Sequence, residues 1–84
     1  MDRLPSLRLL GVFETLARHG SMRGAAQELN VSQPAISQAL RGLEDHVGVP
    51  LLDRATRPAR LTPAGARLAQ AIRDGMGGIA SAIG

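Results

Sequence analysis

The segment 21–47 constrains this chain more than any other. Two amphipathic helix patterns lie there, separated only by Asn30-Val31-Ser32. Ser21 suits an N-cap, and a short helix is predicted over Met22–Leu29, with Ala25, Ala26 and Leu29 facing inward. Asn30 tolerates the left-handed conformation that ends such a helix. Ser32 then caps a third helix with Gln33 and Pro34 in its first turn, where the missing proline N–H would be unpaired anyway. This helix is predicted to end at about residue 46 or 47, before Gly48. Two helices joined by so short a turn form a helix-turn-helix arrangement.

The flanks complete the pattern. An apolar stripe of Leu9, Leu10, Val12, Phe13, Leu16 and Ala17 predicts a first helix over 6–19, stopped by Gly20. After the third helix, 51–54 and 60–62 read as two short strands of a β-hairpin wing. Thr62 and Pro63 open a fourth helix that reaches nearly to the end of the chain. The expected fold is mainly α: a winged helix-turn-helix of three helices and a two-stranded wing over 1–62, then the start of a linker or dimerisation helix over 63–84.

The third helix carries the candidate chemistry. At about 100° per residue, Ile36, Leu40, Leu43 and Val47 share one sector, and Pro34, Ser37, Gln38 and Arg41 cluster opposite. Gln can pair with adenine edges, Arg with guanine edges and Ser with either. Ala35 and Pro34 are short enough to touch a thymine methyl, and the helix N-terminus favours phosphate. The acidic Glu44 and Asp45 come late in the helix. A plain solvated face has similar composition, so the neighbours matter. The loop between the strands holds Arg54, Arg57 and Arg60, a cationic edge able to reach phosphate or a minor groove. The alternative is an edge charged against aggregation. Ser21 and Arg23 lie where a helix N-terminus could meet phosphate, although capping alone explains Ser21.

Composition agrees. The 84 residues allow one domain with a thin core. Net charge is +3, carried by arginine without any lysine, which suits an anionic partner but also follows from genomic base composition. The absence of cysteine excludes disulfides and thiolate metal sites. No apolar run is long enough for a membrane span, and the first residues lack a signal-peptide layout, so a cytoplasmic protein without cofactor or metal is expected. Enzymatic activity is not expected. His19 and His46 sit near helix ends, where carbonyl contacts are the simpler role, and no carboxylate pair, nucleophile–base set or phosphate-cradling loop is visible.

The run Ala25-Ala26-Gln27-Glu28-Leu29-Asn30-Val31-Ser32-Gln33-Pro34-Ala35-Ile36-Ser37, followed by Leu40, Leu43-Glu44, Gly48, Leu51, Arg54, Arg57 and Leu61-Thr62-Pro63-Ala64-Gly65, resembles the signature of LysR-type transcriptional regulators over 7–68. The resemblance implies an N-terminal DNA-binding domain whose third helix enters the major groove and whose wing approaches the flanking minor groove. It implies that Gln33, Pro34, Ala35, Ser37 and Gln38 meet bases, while Ser21, Arg23, Ser32, Arg54 and Arg57 mainly meet backbone. It further implies paired linker helices, dimers that assemble into tetramers on interrupted inverted repeats, and a small-molecule co-inducer bound by a separate C-terminal domain. The sequence departs from the pattern at Gln38, where many relatives carry Arg or Lys, and at Leu52, a common Phe position. Pro58 and Ala59 make the wing less strand-like.

In the last helix, Leu68, Ile72, Met76, Ile79 and Ile83 recur at helical spacing and form a candidate homodimer seam, unless the stripe packs on its own domain. Gly75, Gly77 and Gly78 each cost about 1 kcal/mol relative to alanine in a helix, so fraying or a hinge is expected there. Since the family's linker helix continues further, the chain reads as part of a longer regulator, with a natural short form as the alternative. The rival function is a winged-helix module that binds proteins through its last helix and apolar surfaces.

Overall fold

The computed structural model describes residues 4–56 and 58–84. The element order is α1 (Leu7–His19), α2 (Met22–Leu29), α3 (Gln33–Val47), β1 (Leu52–Asp53), β2 (Arg60–Leu61) and α4 (Pro63–Ile83). Each helix begins on a hydroxyl that accepts from the amide three residues on: Ser6 from Leu9, Ser21 from Gly24, Ser32 from Ala35 and Thr62 from Gly65. These caps satisfy amides that have no partner within the helix. The first three helices end on left-handed residues, Gly20, Asn30 and Gly48.

The apolar stripes of the four helices converge. Phe13 and Leu16 of α1 meet Ala25 and Ala26 of α2, and the alanines allow close approach. Ile36, Leu40 and Leu43 of α3 fill the centre, and Leu51 and Leu52 close it from the wing side. Leu52 is buried, so leucine serves the core at a position where phenylalanine is common. Ala69 and Ile72 of α4 also belong to this core, so the first turns of the expected linker helix pack on the domain itself.

The wing is shorter than its sequence suggests. β1 and β2 pair antiparallel through Leu52 with Leu61 and Asp53 with Arg60. Beyond Asp53 the chain turns, because the Asp53 carboxylate accepts from the Ala55 amide at 2.9 Å. The Thr56 hydroxyl lies 3.1 Å from the carbonyl oxygens of both Asp53 and Pro58, and can donate to either. At the other end, the Thr62 amide donates to the Leu51 carbonyl while the Thr62 hydroxyl donates to Pro50. Thr62 therefore fastens the hairpin and caps α4 together. Gly65 sits so close to the Leu51 carbonyl that a Cβ there would collide with it.

α4 is helical through Gly75, Gly77 and Gly78 as far as Ile83, with open space around the three glycines. One expectation is corrected. His19 does not rely on helix-end carbonyls: its Nε2 lies 2.7 Å from a Glu28 carboxylate oxygen. Arg18 clasps the same carboxylate with two nitrogens, at 2.9 and 2.7 Å, and also reaches Glu14 at 3.4 Å. This clasp joins α1 to α2.

Candidate nucleic-acid interface

Ile36, Leu40 and Leu43 fix the rotation of α3 by occupying the core. That leaves Gln33, Pro34, Gln38 and Arg41 exposed and Ala35 and Ser37 half-buried along the outward face. Gln33, Pro34 and Ser37 line a shallow concavity together with Met22 of α2. Met22 was not singled out from sequence, where it reads as an ordinary first-turn residue; its place beside Pro34 depends on how the two helices cross.

The α2 and α3 N-termini each carry an exposed serine. Ser21 and Ser32 spend an acceptor lone pair on capping, at 3.0 and 3.2 Å. Each hydroxyl proton remains available to an external acceptor, so capping and anion contact are compatible. Arg23 and Arg41 are exposed and form no ion pair among the described residues. The same holds for Arg60 on β2. Arg57 lies outside the described residues.

Arg54 stands apart. Its Nη2 lies 3.0 Å from Glu44 Oε1, and its Nη1 donates to Glu44 Oε2 at 3.3 Å. Oε2 also accepts from the amides of Leu51 and Leu52, at 2.7 and 3.2 Å. Burial pushes the Glu44 carboxyl up, but hydrogen bonds from Arg54 and the two amides outweigh it and hold the group below its ordinary value. The role of Glu44 was missed from sequence. Helical periodicity does not single it out: Glu44 lies about 40° beyond Leu40 around the helix and only about 20° from the polar Ser37, at the border of the apolar sector.

Leu68, Ile72, Met76, Ile79 and Ile83 fall into two groups. Leu68 is half-buried against the core and Ile72 is 8% exposed. Met76, Ile79 and Ile83 are 39%, 57% and 83% exposed, rising toward the free end of α4. No helix among the described residues is long and apolar enough to cross a membrane, and no cluster of potential metal ligands occurs among them.

Comparison with known proteins gives a consistent result. The family model described as bacterial regulatory helix-turn-helix protein, lysR family, matches residues 7–66. The RuBisCO operon transcriptional regulator of Allochromatium vinosum is 52% identical over 60 residues, which is 71% of this chain and 20% of that protein. The chain thus spans about a fifth of that relative's length. Among solved structures, Vibrio fischeri DarR in complex with DNA aligns with a TM-score of 0.83 and 36% identity, over 96% of this chain and 28% of that one. The BenM DBD in complex with benA site 1 DNA aligns with a TM-score of 0.87 and 29% identity, over 94% and 92%. With the predicted helix-turn-helix, the short wing and the capped fourth helix all in place, the chain belongs to the LysR family of bacterial regulatory helix-turn-helix proteins.

Proposed function

We propose that this chain binds double-stranded DNA sequence-specifically, as the DNA-binding part of a LysR-type transcription regulator in the bacterial cytoplasm, where operator DNA is accessible. The observation that carries this reading is the outward face of α3. Gln33, Pro34, Ala35, Ser37, Gln38 and Arg41 lie along a side free of core contacts at its centre, and those side chains suit base edges in a major groove. Ser21, Arg23 and Ser32 are assigned to backbone contacts beside it, together with Arg57, which lies outside the described residues. The two DNA complexes of similar fold support the assignment.

The functional unit in this reading is a homodimer on an interrupted inverted repeat. Residues 1–62 read DNA, and 63–84 begin the pairing helix through the apolar end formed by Met76, Ile79 and Ile83, with Leu68 and Ile72 anchoring that helix to its own domain. Tetramer assembly and recognition of a small-molecule co-inducer are assigned to sequence outside these residues.

Selection of bound duplexes from a random library, at two salt concentrations, tests the proposal. Enrichment of an inverted repeat that persists at the higher salt is expected. Recovery of unselected DNA, lost as salt rises, would leave only a basic surface and favour the protein-binding module.

A further inference from the structure

We propose that Glu44 and Arg54 are positioning residues, forming a strut that holds the wing against the recognition helix, so that Arg54 places the wing instead of neutralising a DNA phosphate. This inference rests on the DNA-binding reading above.

The strut uses both oxygens of one carboxylate. Glu44 is on α3, and its side chain is only 12% exposed. Oε2 accepts from the Leu51 and Leu52 amides, which open the first wing strand, and from Arg54 Nη1. Oε1 takes Arg54 Nη2. The Leu51 carbonyl, in turn, accepts from Thr62 at the end of the second strand. One side chain of the recognition helix thereby fastens the start of the wing, the turn after its first strand and, through Leu51, its return strand.

The charge of Arg54 follows from the same geometry. A guanidinium gripped by a carboxylate on two nitrogens is largely compensated, and the end of its planar fork is committed to that carboxylate. Releasing it to a phosphate would leave Glu44 partly buried beside polyanionic DNA. Arg23, Arg41 and Arg60 carry no such compensation among the described residues and are free to displace counterions.

The two roles for Arg54 predict opposite signs. Glu44→Gln removes a negative charge and would free Arg54. If Arg54 were a phosphate contact, binding would tighten. If the pair is a strut, binding to the selected duplex weakens by roughly tenfold despite the more favourable net charge. Dissociation constants should be measured across a salt series for the unmodified chain and for Glu44→Gln, Arg54→Gln, Arg54→Lys and Arg23→Gln. The strut predicts that Arg54→Gln and Arg54→Lys weaken binding alike, since lysine keeps the charge but not the two-pronged grip, and that neither changes the salt slope. Arg23→Gln is expected to reduce the slope by about one phosphate contact. The Glu44→Gln, Arg54→Gln double variant should be no weaker than the weaker single.

Amide exchange supplies a readout independent of DNA. Exchange at Leu51 and Leu52 should quicken in Glu44→Gln and in Arg54→Gln, whose substituted group is partly exposed and leaves the core intact. Tighter binding by Glu44→Gln, near-normal binding by Arg54→Lys, or unchanged exchange in both variants would each overturn the strut. If the unmodified chain binds no DNA, the functional reading fails instead, and the exchange rates alone decide whether the strut exists.

Discussion

Glu28 accepts from Arg18 and His19 together, and those hydrogen bonds, Arg18's the stronger, lower its pKa from an ordinary 4.5 to about 2. A carboxylate whose folded pKa is depressed binds its proton less readily in the native state. Its contribution to stability is therefore complete above about 4.5 and is lost as pH falls toward about 2. Glu44 is depressed in the same direction and adds to the same acid limb. Thermal melts across that interval should show stability falling with acid, and Glu28→Gln should flatten the fall. An equally steep fall in Glu28→Gln would remove the clasp as its source. Gly65 offers a second test at this scale. Because a Cβ would strike the Leu51 carbonyl, which is backbone and cannot swing aside, Gly65→Ala should destabilise by about 1–3 kcal/mol in denaturant titrations. A neutral result would mean that the junction of wing and α4 yields easily.

Among the elements, what sequence reveals is what is local. A serine or threonine reaches an amide three residues away, so the caps Ser21, Ser32 and Thr62 and the three left-handed stops could be placed from residue type alone, while Ser6, read as the first helical residue, is itself a cap. The clasp on Glu28 and the strut on Glu44 could not, because their partners lie seven to ten residues away and meet only once α2 packs on α1 and the wing folds back on α3. Arg54 shows the consequence: in sequence it is one more cation of a basic loop, and in the fold it is committed to Glu44. The wing was legible as a hairpin but not in length, since the turn begins with a hydrogen bond from Ala55 to Asp53. In α4 the apolar spacing is the same whether a residue faces its own domain or a partner, so only exposure separates Ile72 from Ile79 and Ile83. Ile72→Ala should cost about 2–5 kcal/mol of folding stability. Ile79→Ser combined with Ile83→Ser should leave melting of the domain intact and shift the chain toward monomer in sedimentation. Unchanged sedimentation would place any pairing surface elsewhere.

As a whole the molecule is a thin core that fixes one helix face and one basic edge in relation to each other. The core residues of α3 decide which side of that helix looks outward. Ser21, Ser32 and Arg23 lie around that face, with Glu44 linking it to the wing. Base reading by α3 is the central claim. The most direct test measures Gln33→Ala and Ser37→Ala on the selected duplex and on a scrambled duplex of the same length. Each substitution is predicted to cost roughly 1–3 kcal/mol on the selected duplex and much less on the scrambled one. Equal losses on both duplexes would contradict the claim and reduce α3 to a contributor of general affinity.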